Sequence, residues 1–164
     1  MPVDPRAVQD ICTPVGDNHH MSNRVLFLCT GNYYRSRYAE ILFNIHARRH
    51  DLPWSADSRA LAIELGACNI GPVSQHVLAA IATRGIDCPT AARMPVACAL
   101  DDLSNANIVV ALKELEHRPY LQRKFPGWEE RVTYWHVHDI DQATPAQALA
   151  EIETLVTGLI ERLK

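Results

Sequence analysis

Strand and helix patterns alternate along most of the chain, and this alternation is the feature that most limits its possible folds. A continuous apolar run such as Val25–Leu28 is typical of a strand buried on both faces. Strands are predicted at residues 25–28, 54–60, 107–112 and 131–137, and helices at residues 36–50, 74–84, 113–124 (interrupted at Pro119) and 145–163. Strands that alternate with helices form a parallel sheet. We therefore predict a three-layer α/β fold, a four-stranded parallel sheet with helices on both faces.

Two of the predicted helices are amphipathic and indicate which side chains face the core. In the helix at residues 36–50, Arg37 and Glu40 lie opposite the apolar stripe, so we expect them on the solvent face. In the helix at residues 74–84, we expect Val77, Leu78 and Ile81 to point inward.

The segment "CTGNYYRS" (residues 29–36) joins the first predicted strand to the first predicted helix. Ligands bind outside the carboxyl ends of parallel strands, and a helix N-terminus presents free N–H groups to anions. Gly31 permits close approach of a ligand, Asn32 tolerates a left-handed conformation, and Arg35 supplies a planar fork for two oxygens of an oxyanion. The segment predicts a phosphate-binding loop.

Cys29 ends the first strand at the base of this loop. The helix N-terminus and the guanidinium of Arg35 favour its thiolate form, and Ser36 can either cap the helix or donate its hydroxyl to the sulfur. A thiolate in this place can attack a phosphorus held by the same N–H groups. We therefore predict that Cys29 is a nucleophile.

The composition limits the partners and the compartment. The chain has 164 residues, enough for one domain, and its formal charge of −3 gives no general attraction to nucleic acid or anionic membranes. We therefore expect neither as a partner. No apolar run approaches the ~20 residues of a membrane span, and no signal-peptide pattern begins the chain. The five cysteines contain no C-x-x-C pair, and we expect a cytoplasmic protein.

The stretch "VLFLCTGNYYRSRYAE" resembles the signature of the low-molecular-weight protein tyrosine phosphatases, a strand followed by C-x-G-N-x-x-R-S. The resemblance covers residues 24–164. It implies hydrolysis of phosphate monoesters, from a phosphorylated protein or a small phosphate ester, through a phosphocysteine intermediate and with no cofactor. It implies that Cys29 and Arg35 are catalytic. The other loop residues are predicted to bind the substrate: Thr30, Gly31, Asn32, Tyr33, Tyr34 and Ser36.

The resemblance divides the chain into a phosphatase domain at residues 23–164 and an N-terminal extension at residues 1–22. The extension contains three prolines and no sustained period, so we expect little fixed structure there. Met21 lies shortly before the first predicted strand, where an initiator methionine would be expected. We hypothesise that the native chain begins at Met21.

Several positions depart from the family pattern. Tyr34 stands where the family often has a second cysteine that protects the nucleophile by forming a disulfide. Arg37 replaces the proline that usually follows the serine, and the segment at residues 85–95 lacks a family histidine two residues before its Ala-Arg pair. We therefore expect the hydrogen bonds around the loop to differ from those of the family.

The resemblance also implies a general acid, which the family places in an Asp-Pro pair on a loop after the last strand. Here the region reads "YWHVHDIDQATP" and offers Asp139 and Asp141. We favour Asp139, which follows the strand at the family's offset with Ile140 in place of proline, and keep Asp141 as the second candidate.

The aromatic residues that usually follow this acid in phosphotyrosine-selective members are missing. Tyr33, Tyr34 and Trp54 are candidates to line the pocket instead, although a tryptophan in the place of Trp54 is more often part of the core. His136 and His138 share one strand face, but two ligands do not make a metal site, and no metal is predicted.

Two other functions fit the loop. A thioredoxin-coupled arsenate reductase resembles this fold but relays a disulfide through two further cysteines, for which Cys88 and Cys98 are candidates. A non-catalytic binder of phosphorylated partners would keep the loop and lose the acid.

Overall fold

The computed structural model describes residues 22–164, so the hypothesised start at Met21 and the predicted extension, except Ser22, lie outside the described residues. The strands are β1 (Asn23–Cys29), β2 (Trp54–Ala60), β3 (Ile108–Ala111) and β4 (Thr133–Tyr134). The helices are α1 (Arg35–Arg49), α2 (Gln75–Thr83), α3 (Leu100–Ser104), α4 (Glu114–Lys124) and α5 (Pro145–Leu163). Short 3₁₀ turns lie at Ile63–Gly66, Pro89–Ala92 and Trp128–Glu130.

The four strands form one parallel sheet in the order β2-β1-β3-β4. Cys29 at the end of β1 pairs with Ala60 of β2, and Leu28 pairs with Ala111 of β3, so the carboxyl ends of the strands meet at one edge. The chain leaves β1 for β2 on one side and crosses to β3 on the other. A crevice opens where the strand order reverses in this way, and it is the usual place for a ligand.

The sheet separates two apolar cores, which confirms the predicted three-layer α/β fold. Val25 and Phe27 of β1 point to the face covered by α1, α2 and α5, whereas Leu26 and Leu28 point to the face covered by α3 and α4. Since β1 is central and covered on both faces, its sequence is continuously apolar rather than alternating.

Local signals explain where two helices begin and end. The Thr144 hydroxyl accepts a hydrogen bond from the Gln147 N–H, and Pro145 occupies the first turn of α5. The Ser74 hydroxyl accepts from the His76 N–H at the start of α2, and Gly85 follows its end with φ at +65°.

The structure differs from the sequence expectations at four elements, one of which, the short helix α3, has no predicted counterpart. Helix α4 runs through Pro119, so the predicted interruption is wrong; the proline removes one N–H, and burial of His117 and Leu121 holds the helix in place. Strand β4 keeps only two of its seven predicted residues, although the Trp135 N–H still donates to the carbonyl of Ala111 in β3 and the Val137 N–H to that of Leu112. Leu78 is 41% exposed rather than inward, because α2 buries only a narrow stripe.

Within residues 22–164, no helix is both long and apolar enough to cross a membrane.

Candidate active site

The loop at residues 29–36 lies between the end of β1 and the first turn of α1, as predicted. Asn32 has φ at +52°, in the left-handed region that asparagine tolerates. Its side-chain amide donates to the hydroxyls of Ser36 at 3.0 Å and Ser58 at 2.8 Å. Its carbonyl oxygen accepts from the Val96 N–H at 3.1 Å and from Arg93 at 3.3 Å. Asn32 therefore binds Ser36 within the loop and fixes the loop to two other segments of the chain, at Ser58 and at residues 93–96.

Cys29 lies beneath this loop and is buried. Its Sγ is 2.9 Å from the Ser36 Oγ, a distance that lets the hydroxyl donate to a thiolate. Ser36 therefore faces the sulfur rather than capping the helix, which was the other role considered for it; no side chain caps the start of α1.

Arg35 is 2% exposed and makes four hydrogen bonds. Its Nη1 donates to Glu116 Oε2 at 2.9 Å and to the Val137 carbonyl at 3.1 Å. Its Nη2 donates to Glu116 Oε1 at 2.6 Å and to Asp139 Oδ2 at 3.3 Å. Burial alone lowers the pKa of Arg35, but the Glu116 hydrogen bond and the charges of Cys29 and Asp139 raise it, and the net direction is upward. The guanidinium is permanently charged and held from two sides.

Glu116 is a site residue that the sequence reasoning missed. It lies in the first turn of α4, just beyond the carboxyl end of β3, and also accepts a hydrogen bond from the Thr30 hydroxyl at 2.5 Å. Burial raises the pKa of Glu116, but hydrogen bonds from His117 and Arg35 outweigh it and hold the pKa well below its usual range. The sequence signal that could have identified Glu116 was an acidic residue in the first turn of the helix that follows β3.

His117 supports this carboxylate from behind. It is fully buried, and the Lys113 N–H donates to its Nδ1 at 3.0 Å, which places its proton on Nε2. That Nε2 is 3.3 Å from Thr30 Oγ1 and 3.5 Å from Glu116 Oε1. Burial lowers the pKa of His117, so the ring is neutral and donates to the Thr30 hydroxyl, which in turn donates to Glu116.

The two candidate acids lie in different surroundings. Asp139 reaches Arg35 and lines the same cavity as Cys29. Asp141 is exposed and does not line the cavity. The loop that carries Asp139 is held by Lys113, whose buried Nζ contacts His138 Nδ1 at 2.9 Å and donates to Gln142 Oε1 at 2.6 Å. The structure therefore brings Asp139, and not Asp141, to the loop.

A cavity of about 470 Å³ opens above Cys29. Of the predicted loop residues, Thr30, Gly31, Tyr33, Tyr34 and Arg35 line it, whereas Asn32 and Ser36 are buried in the supporting hydrogen-bond network. Three exposed apolar side chains line the cavity, Leu65, Ile70 and Ile140 at 64%, 82% and 54% exposure, together with the exposed polar side chains of Asn69, Gln75 and His76. An organic group attached to a bound phosphate would meet these side chains.

Trp54 does not line this cavity; of its two predicted places, the structure puts it in the core. It begins β2, at the end of the strand opposite the loop, and packs against the apolar core on the α1 face. Tyr33 lies at the mouth, where its hydroxyl donates to the Ile70 carbonyl at 2.7 Å.

Arg37 and Glu40 are buried, which corrects the expectation that they face solvent. Arg37 donates to the carbonyls of Thr90, Arg93 and Pro72 at 2.8, 2.7 and 3.2 Å. Glu40 accepts from Arg93 at 3.0 Å and from the Ser58 hydroxyl. The segment at residues 72–93 covers this side of α1, so the helix is enclosed on both sides. These bonds occupy the region where the family's proline and histidine are replaced.

The two cysteines considered for a disulfide relay lie away from the cavity. Cys88 packs against the core on the α1 face and Cys98 against the core on the α4 face, and neither lines the cavity with Cys29. Burial, with a smaller effect from Asp102, raises the pKa of Cys98 to about 12, which disfavours the thiolate that a relay requires. Within residues 22–164, no three His, Cys, Asp or Glu side chains are grouped as metal ligands would be.

Comparison with known proteins agrees with this geometry. The sequence profile described as "Low molecular weight phosphotyrosine protein phosphatase" matches residues 24–164. None of the curated proteins matches the sequence significantly.

Three solved structures illustrate the likeness in fold. A low molecular weight protein tyrosine phosphatase from T. tengcongensis is 26% identical, with a TM-score of 0.73 over 87% of this chain and all of that chain. Vibrio vulnificus Wzb, solved in complex with benzylphosphonate, is 14% identical, with a TM-score of 0.72 over 86% of this chain and 99% of that one. The YwlE arginine phosphatase from Geobacillus stearothermophilus is 23% identical, with a TM-score of 0.67 over 86% of this chain and 92% of that one. The profile match over nearly the whole chain means that this protein belongs to the low molecular weight phosphotyrosine protein phosphatase family and is a cysteine-based phosphatase.

Proposed function

We propose that the protein hydrolyses aryl phosphate monoesters, either phosphotyrosine in a protein or a small aryl phosphate, through a phosphocysteine formed on Cys29. The observation that carries the proposal is the convergence of Cys29, Arg35 and Asp139 on one cavity. The exposed apolar side chains at its mouth favour an aromatic leaving group over a small polar one.

In the first step, the Cys29 thiolate attacks phosphorus, an S–P bond forms and the ester P–O bond breaks. Backbone N–H groups of the loop and Arg35 hold the phosphoryl oxygens, and Asp139 gives its proton to the departing ester oxygen.

In the second step, the Asp139 carboxylate takes a proton from water, and that water attacks the phosphocysteine. The S–P bond breaks, inorganic phosphate leaves, and Cys29 returns to the thiolate, which the Ser36 hydroxyl stabilises at 2.9 Å. Because the nucleophile must stay reduced, we also propose that the protein acts in the cytoplasm.

The test is hydrolysis of p-nitrophenyl phosphate and phenyl phosphate by the wild type and by three variants. Cys29→Ser abolishes both activities. Asp139→Asn slows phenyl phosphate more than p-nitrophenyl phosphate, because p-nitrophenolate departs readily without a proton. Asp141→Asn is the matched control and keeps the wild-type rates.

Other results would point to other functions. Phosphate binding without turnover would indicate a binding protein, and thioredoxin-dependent arsenate turnover lost in Cys88→Ser or Cys98→Ser would indicate a reductase. A loss of rate in Asp141→Asn but not in Asp139→Asn would show that the acid is misassigned.

A further inference from the structure

The hydroxyl of Tyr34 is enclosed and has no hydrogen-bond partner among residues 22–164. Tyr34 is 8% exposed, and its ring packs edge-on against His76 with 6.2 Å between ring centroids. Burying a hydroxyl without a partner costs about 1–3 kcal/mol, so native structures keep few such groups. The neighbouring Tyr33 differs in this respect, because its hydroxyl already donates to the Ile70 carbonyl.

Tyr34 belongs to the same cavity as the reacting groups. It precedes Arg35 in the loop and lines the cavity together with Cys29 and Asp139. Burial raises the pKa of Tyr34, the charge of Asp139 raises it further, and Arg35 opposes both effects with a smaller one. The phenol is therefore protonated at physiological pH and able to donate a hydrogen bond, and it lies within electrostatic reach of both charged groups.

The other donors of the cavity are partly committed. Four hydrogen bonds of Arg35 go to Glu116, Val137 and Asp139, and the Thr30 hydroxyl donates to Glu116. The Tyr34 hydroxyl has no such commitment within the described chain. The hydroxyl is shielded from solvent in this structure, so the Tyr34 side chain must turn toward the cavity before a bound oxyanion supplies the acceptor that it lacks.

We propose that Tyr34 is a further substrate-binding residue, whose hydroxyl donates a hydrogen bond to an oxygen of the phosphoryl group seated above Cys29. The inference rests on the proposed function. Tyr34 stands where the family often has a second cysteine, and in this chain that position would help to hold the oxyanion.

The test uses inorganic phosphate as the probe and compares Tyr34→Phe with Tyr134→Phe. The Tyr134 hydroxyl donates to the Glu129 carbonyl at 2.8 Å and lies outside the cavity. Phosphate is measured as a competitive inhibitor of p-nitrophenyl phosphate hydrolysis, and the Tm of each protein is measured without and with phosphate.

For Tyr34→Phe we expect a Tm without phosphate that equals or exceeds that of the wild type, because the variant removes an unpaired buried hydroxyl. We expect its phosphate Ki to rise at least about tenfold, since a hydrogen bond to a charged group contributes that much or more, and the Tm increase caused by phosphate to shrink. Tyr134→Phe, which loses a paired hydroxyl, has a lower Tm and an unchanged Ki.

A phosphate Ki for Tyr34→Phe within twofold of wild type overturns the proposal. A lower Tm for Tyr34→Phe without phosphate also overturns it, because the hydroxyl would then have a structural partner. If the wild type neither binds phosphate nor hydrolyses the ester, the proposed function fails and this inference fails with it. Normal wild-type hydrolysis with an unaltered Ki in Tyr34→Phe removes this inference alone.

Discussion

Glu116→Gln is the substitution that best tests how the site holds its arginine. The variant keeps the shape of the side chain and removes its charge. Glu116 accepts two hydrogen bonds from Arg35, at 2.6 and 2.9 Å, and a third from Thr30. A glutamine oxygen can keep one of the arginine bonds, but its NH₂ group then faces the other N–H of a guanidinium that is 2% exposed.

The expected loss follows from these contacts. A hydrogen bond to a charged group contributes about 1.5–3 kcal/mol, so losing one of two should lower the free energy of unfolding by about 2 kcal/mol. For a domain of this size that corresponds to a fall in Tm of about 4–8 °C. If the same interaction orients Arg35 for the transition state, kcat/KM falls about 30-fold. Urea denaturation and steady-state hydrolysis of p-nitrophenyl phosphate measure the two quantities.

The pH dependence gives an independent check. Because the pKa of Glu116 in the folded protein lies below its unfolded value of about 4.3, its stabilising contribution is complete above that value and is lost as the pH falls toward the folded pKa. The difference in unfolding free energy between wild type and Glu116→Gln is therefore full at pH 7 and shrinks below about pH 4.

Glu130→Gln is the matched control for this prediction. Glu130 pairs with Arg118 at the same 2.6 Å, but its side chain is 73% exposed, so its loss should leave Tm and activity almost unchanged. Wild-type stability in Glu116→Gln would refute the reasoning about the buried pair. A lower phosphate Ki in that variant would refute the orienting role, since it would mean that Glu116 competes with phosphate for Arg35.

Two further substitutions test the supports around the loop. Lys113→Met removes the donor to Gln142 and the contact with His138, so the loop that carries Asp139 loses these two contacts. We expect kcat to fall several-fold with little change in the phosphate Ki. If phosphate binding weakens as much as kcat falls, this positioning role is wrong. Arg37→Met removes three hydrogen bonds from a charged donor and leaves the Pro72 and Arg93 carbonyls without that donor, whereas the Thr90 carbonyl keeps the Arg93 N–H. The free energy of unfolding in urea denaturation should fall by about 3 kcal/mol or more, and a loss below about 1 kcal/mol would mean that relief of the buried charge compensates.

Sequence alone predicted the elements whose signals are local. The bounds of β2 and α5 agree with prediction to the residue, since α5 carries its own cap at Thr144 and a proline at its first position. The loop that follows β1 was also predictable, because Cys29, Asn32 and Arg35 lie within seven residues of one another.

Features that depend on contacts distant in the sequence were not predictable in this way. Glu116 reaches Arg35 across 81 residues, only because β1 and β3 pair in parallel and place α4 beside the loop. Helical periodicity assigned Arg37 and Glu40 to a solvent face. The periodicity of one helix contains no information about residues 72–93, which fold back and cover that face. The shortening of β4 likewise reflects the path of the chain toward Asp139, which no strand propensity encodes.

The four hydrogen bonds of Asn32 have a consequence for protein engineering. Two of its partner segments, at Ser58 and at residues 93–96, lie far from the loop in sequence. Transplanting residues 29–36 alone into another α/β scaffold would therefore carry the nucleophile but not the left-handed bend that shapes its surroundings. A graft that retains the activity must also carry the hydrogen-bonding partners of Asn32 at Ser58 and at residues 93–96. The part to transfer is therefore a set of three separate segments rather than one short peptide.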